Sequence, residues 1–277
     1  MRHSVSPAEA EDIIAVAAQL AEAGRAATLR HFRRAGLGSD DKGGGKAESR
    51  FDPVTDADRE AERAMRAILA KRRPRDGVLG EEFAAKVGES PLTWVLDPID
   101  GTRAFLCGAP TWGILIAVSD ADGPIYGLID QPHVGERFEG GLGRALLHGP
   151  RGTVPLAARP PRPLTEATVM TTFPEVGSPD EAEAFRAVAR RTRLVRYGMD
   201  CYAYGLIAAG QIDLVIEAGL APYDIAAPIA VIEAAGGIVT DWRGRPAHGG
   251  GRVLAAANAA VHAEALQILS RWPDPAS

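Results

Sequence analysis

Between Trp94 and Phe105 the chain reads WVLDPIDGTRAF. Three apolar residues run directly into Asp97 and Asp100, which stand three residues apart. An apolar run of this kind is a buried strand. It cannot end in two acids without something to neutralise them, because like charges repel and burial makes the repulsion worse. Pro98 stiffens the turn between the acids. Gly101 and Thr102 then open a helix, whose first N–H groups favour an anion.

Acids recur at strand ends or helix starts in three other places. These are Asp52, Asp56 and Asp58 in DPVTDAD, Glu81 and Glu82 in GEE, and Asp224 in PYDIAA. A strand that ends in an acid and turn residues is where layered α/β folds place ligands. Taken singly, each motif has a plainer reading. DPID and YDIAA could be turns or helix caps, Asp58 could serve the macrodipole of its helix, and GEE could be two solvated glutamates. Together they form a set of carboxylates with no cysteine and no histidine among them. Such a donor set selects hard cations, above all Mg²⁺, with Mn²⁺ possible. The three-residue spacing differs from the two-residue spacing of aspartyl-phosphate phosphatases. No GxxxxGK[ST] loop and no GxGxxG after a strand occurs.

The 277 residues suffice for one large domain or two smaller ones. A net charge of −5 argues against nucleic acid or an anionic membrane as a partner. The N-terminus lacks a signal-peptide pattern and no run reaches the length of a membrane span, so a cytoplasmic protein is expected. The two cysteines, Cys107 and Cys201, lie in no metal-binding spacing and read as small apolar side chains.

Periodicity predicts a helix over residues 7–32, with Ser6, Pro7 and Glu9 as its start signal, and a second helix ending before Pro74. Residues 36–49, GLGSDDKGGGKAES, read as a loop. Strands ending at Gly80 and Leu96, a hairpin around Asp122-Gly123 and a further strand pair complete the first half. The second half alternates strands and helices. A proline-rich stretch places a boundary near residue 158, dividing an N-terminal α+β subdomain, 1–157, from a C-terminal α/β subdomain, 158–277.

GEEF, WVLDPIDGTRAF and YDIAAPIAVIEAAGGIVTDW, in this order, closely resemble the inositol monophosphatase family, from about Asp52 to Trp242. DPIDGTRAFLCGAPTWGILIAV and YGMDCYAYGLIAAGQIDLVIEAGLAPYDIAA are most similar to its histidinol-phosphate phosphatase branch. The resemblance implies an α+β/α/β fold, a layered αβαβα sandwich of the inositol monophosphatase/fructose-1,6-bisphosphatase type, in a homodimer. It implies hydrolysis of a small phosphate monoester with two or three Mg²⁺ ions and inhibition by Li⁺. Glu81, Asp97 and the Ile99 carbonyl would hold one metal; Asp97, Asp100 and Asp224 would hold another. Gly101 and Thr102 would face the phosphate, and Thr102 and Glu81 would orient the attacking water. Thr102 could relay a proton through Asp52 or Asp58.

Histidinol phosphate carries an ammonium and an imidazole, which want carboxylates. Asp200 and Glu217 are candidates, alongside Asp100 and Asp224 at the same site. Glu217 also matches a hydroxyl-binding glutamate of inositol-specific relatives, and Asp200 could instead cap the helix after it. Trp112 and Tyr202 could stack on the imidazole or belong to the core. Lys46 could complete the site from the glycine-rich loop or be solvated. The expected activity is Mg²⁺-dependent hydrolysis of histidinol phosphate. The alternatives are another small sugar or nucleotide phosphate, inositol 1-phosphate included, and an inactive metal-binding relative.

Overall fold

The computed structural model describes residues 5–34, 40–41, 53–173 and 175–274. Helix α1, Pro7–His31, begins where the Glu9 N–H donates to the Ser6 hydroxyl at 3.2 Å. The Glu9 carboxylate reaches across to Arg73 at the end of the second helix. Two short strands, β1 (Asp40–Asp41) and β2 (Pro53–Val54), pair antiparallel, so part of the expected loop is held in a ladder. Helix α2, Asp56–Arg72, is capped by Thr55, with Asp58 closing a capping box.

Seven strands form the first sheet in chain order: β3 (Gly77–Gly80), β4 (Thr93–Asp100), β5 (Gly113–Asp120), β6 (Gly123–Gln131), β7 (Glu136–Gly141), β8 (Arg144–Gly149) and β9 (Gly152–Pro155). β3 and β4 run parallel, and every later pair is antiparallel. The short helix α3, Thr102–Cys107, follows β4. β9 was not expected; its four residues are all exposed, so it shows no alternation to read.

The second sheet has the order β11-β10-β12-β14-β13. Its members are β10 (Thr168–Thr171), β11 (Leu194–Tyr197), β12 (Leu214–Leu220), β13 (Ile238–Thr240) and β14 (Gly251–Ala256). The helices of this half are α4 (Pro179–Ala189), α5 (Tyr202–Ala208), α6 (Pro222–Ala234) and α7 (Ala259–Leu269). Among the described residues no helix is long and apolar enough to cross a membrane.

The layers run α1/α2, first sheet, α5/α6, second sheet, α4/α7, which is the αβαβα sandwich. Three apolar clusters fill the gaps between them. Trp94, Leu96 and Ile114 face α1 and α2. Val95, Leu115 and Ile129 face α5, α6 and the second sheet. Leu214 and Leu254 of the second sheet pack with Phe185 of α4 beneath α4 and α7. The middle cluster takes residues from both sides of position 158, so the two halves share a core.

As a middle layer, α6 is apolar all round, with Ile225 to Ile232 buried without a break. It lies very close to the first sheet. A Cβ on Gly127 of β6 would overlap the Ala227 carbonyl, and one on Gly140 of β7 would meet the backbone of Ala230 and Val231. Gly127→Ala must therefore push α6 off the sheet. The expected cost is about 1–3 kcal/mol, typical of overpacking, read as a lowered midpoint in urea denaturation. A midpoint equal to wild type would show that this seat is not tight.

Candidate metal and phosphate site

β4 does not stop at Leu96 but continues through Asp100, with a register shift between Asp97 and Asp100. The irregularity breaks the strand alternation. Val95 faces the middle layer, yet Ile99 faces α1 and α2. Asp97 is thereby left at the corner where α6 begins. Its Oδ1 accepts the Ile99 N–H at 3.0 Å, closing the turn around Pro98. Asp224 is the third residue of α6, not its cap, and its Oδ2 accepts the Ala221 N–H at 2.7 Å. Asp100 Oδ2 accepts the Cys201 N–H at 2.6 Å, which ties the two halves together at the site.

The result is a cage. One carboxylate oxygen from each of Asp97, Asp100 and Asp224 lies within 4.8 Å of the others. Glu81, beyond β3, lines the same cavity as Asp97 and adds its charge to the cluster. Burial, and then the charges of Glu81, Asp100 and Asp224, push Asp97 well above the usual carboxylate range. Asp100 is raised likewise, by burial and then by Asp200 and Asp224. Such a cluster is relieved by protons or by a cation. Its donors are carboxylate oxygens throughout, so it fits Mg²⁺ or a similar hard ion.

A cavity of about 430 Å³ opens above the cage. Glu81, Asp97, Ile99, Asp100, Gly101, Thr102, Asp200, Glu217 and Asp224 all line it. Gly101 has φ +82°, a left-handed conformation, as the chain turns from β4 into α3. A Cβ there would also sit 2.7 Å from the Asp200 Cγ, so glycine is required twice over. The Thr102 hydroxyl donates to the Ile99 carbonyl at 3.1 Å.

Asp58 lies fully buried behind Glu81 and does not line the cavity. Its Oδ2 accepts the Thr55 N–H at 2.9 Å, while its Oδ1 has no hydrogen-bond partner. Burial, opposed by the Thr55 bonds and aided by the Glu81 charge, raises its pKa to about 6. Asp52 and Lys46 lie outside the described residues.

The far wall comes from the second half. Glu217 on β12 accepts the Thr172 N–H at 3.0 Å and the Tyr204 hydroxyl at 3.0 Å, and burial raises its pKa. Asp200 is not the cap of α5: that helix starts at Tyr202, and the residue at its cap position is Cys201. Asp200 instead takes φ +47°, and its Oδ2 accepts the Thr111 hydroxyl at 2.8 Å. Burial raises the Asp200 pKa against the Thr111 bond and the Arg103 charge.

Trp112 and Tyr202 line no part of the cavity. Trp112 is buried edge-on to Phe105, with centroids 4.9 Å apart, and the Tyr202 hydroxyl donates to Glu136 at 2.7 Å. Cys201 is buried at the cavity, where burial pushes its thiol up, and Cys107 is exposed. Three groups beyond the candidate site residues support the mouth: Arg103 and Phe173 line it, and Thr111 holds Asp200. Thr111 meets Asp200 only across 89 residues of chain. The Arg103 guanidinium lies over the Phe173 ring, 4.9 Å from its centroid. A basic residue directly after DGT was the one local signal for this pair.

The sequence profile of the inositol monophosphatase family matches residues 9–272. The chloroplastic bifunctional phosphatase IMPL2 of Arabidopsis thaliana is 41% identical over 229 residues, which is 78% of this chain and 65% of that protein. A histidinol-phosphatase of Streptomyces coelicolor is 35% identical over 272 residues, 94% of this chain and 97% of the relative. The solved structure of an inositol monophosphatase from Zymomonas mobilis is 37% identical, with a TM-score of 0.80 over 94% of this chain and 98% of that one. With the acids of DPID and YDIAA gathered at one cage in the layered fold these relatives share, the chain belongs to the inositol monophosphatase family.

Proposed function

We propose that this protein is a Mg²⁺-dependent phosphomonoesterase acting on histidinol phosphate, with metal ligands Glu81, Asp97, the Ile99 carbonyl, Asp100 and Asp224. The cage of three carboxylates beneath one cavity is the observation that carries the phosphatase reading. Bound there, Mg²⁺ would supply charge to the phosphate oxygens and lower the pKa of a bound water. The backbone of Gly101 and Thr102, at the start of α3, lines the cavity on the phosphate side. In this reading the Thr102 hydroxyl and Glu81, both on the cavity wall, orient the water, and the buried Asp58 takes the relayed proton.

The substrate reading rests on Asp200. Glu217 already takes three hydrogen bonds, from the Thr172 N–H, the Thr172 hydroxyl and the Tyr204 hydroxyl. Asp200 takes one side-chain bond, from Thr111, and lies against Gly101 beside the phosphate subsite. A carboxylate with spare acceptors in a largely desolvated wall suits an ammonium or imidazolium better than a ring of hydroxyls. The relatives named above include both a histidinol-phosphatase and an inositol monophosphatase, so the substrate has to be measured.

Phosphate release from histidinol phosphate, inositol 1-phosphate, fructose 1,6-bisphosphate and adenosine 3′,5′-bisphosphate, with Mg²⁺ and with EDTA, tests the whole reading. Histidinol phosphate should have the highest kcat/KM, and EDTA should abolish turnover. Preference for another ester would overturn the substrate.

Asp97→Asn should cut release far more than tenfold at saturating Mg²⁺, over ~1.4 kcal/mol of barrier. The same variant removes one like charge from the cage, so without metal it should melt no lower than wild type. Near-normal turnover would remove Asp97 from the site. Asp200→Asn suits the left-handed backbone, so it tests the charge alone. Its KM for histidinol phosphate should rise about tenfold, the scale of one charge-assisted contact, while KM for inositol 1-phosphate stays level. An unchanged KM for histidinol phosphate would reject the contact.

A further inference from the structure

Glu62 is a carboxylate with no exposed surface, one turn beyond Asp58 on the same face of α2. Burying an acid costs free energy unless it is paired, and an apolar residue in its place is often no less stable. Its contacts indicate what this buried charge does. Glu62 Oε2 accepts the Glu82 N–H at 2.8 Å, and Oε1 accepts Arg66 Nε at 2.7 Å. Arg66 in turn donates to the Phe83 carbonyl at 3.0 Å, and its guanidinium lies 5.9 Å from the Phe83 ring centroid. On the other side of Glu81, the carboxylate lies directly on Gly80, where any Cβ would overlap it. The backbone is thus gripped at residues 80, 82 and 83, and Glu81 is the one residue within that grip whose side chain faces the cage.

We propose that Glu62, linked to Arg66, is a positioning residue that holds the Gly80–Phe83 turn so that Glu81 stays aimed at the cation. The inference rests on Glu81 being a cation ligand. In the bend of residues 81–83 between the end of β3 at Gly80 and an irregular segment, no regular ladder fixes the direction of residue 81. The rigid face of α2 supplies that fixing, and side chains that orient a ligand typically alter metal affinity by 10–100-fold when lost. A hydrophobic residue at position 62 could fill the space, but it would take away the acceptor of the half-buried Glu82 N–H and the partner of Arg66, and with them the grip on the turn.

Isothermal titration of Mg²⁺ into the metal-free protein tests this. Glu81→Gln serves as the ligand control and should weaken binding more than tenfold. Glu62→Gln puts an amide donor against one of two donors, and should weaken Mg²⁺ about tenfold, with KM for the phosphate ester at saturating Mg²⁺ close to wild type. Arg66→Lys keeps the charge but loses the forked link, and should weaken Mg²⁺ roughly threefold. A Glu62→Gln protein that melts lower in EDTA yet binds Mg²⁺ as wild type would overturn the proposal and leave Glu62 structural. If Glu62→Gln does not fold, wild-type affinity in Arg66→Lys, whose side chain is 21% exposed, overturns it. Normal binding by Glu81→Gln would instead sink the ligand assignment on which the inference stands.

Discussion

The backbone of α6 touches the backbone of the first sheet at Gly127 and Gly140, and the site depends on that closeness. Asp97 belongs to the first half of the chain and Asp224 to the second. Their carboxylates share a cage because, at these two glycines, nothing larger than a hydrogen stands between the helix and the strands. At an ordinary helix–sheet spacing of about 10 Å, Asp224 would stand back from the strand end. Close packing across the middle layer thus has a chemical purpose: it joins two acids of β4 and one of α6 into one donor set.

The same arrangement stores electrostatic stress. Asp97, Asp100, Asp200 and Glu217 all have raised pKa values, each with burial as the leading cause. Backbone donors hold the three cage acids in place regardless: the Ile99 N–H for Asp97, the Cys201 N–H for Asp100 and the Ala221 N–H for Asp224. Each donor is the backbone of a turn or a helix start, and the one to Asp100 reaches it across 101 residues of chain, so the backbone itself preorganises the cage. The charge left over is what gives a hard cation its driving force to bind.

The parts legible in the sequence were those set by local chemistry. DPID announced a stiff acidic turn, and YDIAA a helix start, because proline, glycine and capping patterns act within a few residues. The two helices at the front and the alternation at the back followed from periodicity. What escaped was set by distance or by strain. The Thr111–Asp200 bond spans 89 residues, and no window of sequence contains it. The φ of +47° at Asp200 contradicts the cap expected there, since the cap reading assumes an extended residue. The break in alternation across Asp97–Asp100 is also hidden, for a bulge inserts no distinctive residue type.

The two acids on the substrate wall illustrate why a motif alone does not assign specificity. Glu217 and Asp200 are both buried acids lining one cavity. Their surroundings separate them. Glu217 is held by a backbone N–H and two hydroxyls, so much of its hydrogen-bonding capacity is spent inside the protein. Asp200 sits on a strained backbone, with one hydroxyl to anchor it and Arg103 near enough to temper its charge. A strained residue persists where its surroundings over-determine it, and here those surroundings are Thr111 and the bare face of Gly101. Gly101 also begins α3 at the phosphate side of the cavity, so the group that would choose the leaving part of the substrate rests on the residue that would seat its phosphate. On the proposed reading, recognition of the two ends would be coupled through the contact of the Asp200 side chain with Gly101, and an ester whose cationic group cannot reach Asp200 while its phosphate lies at Gly101 would gain from one subsite only.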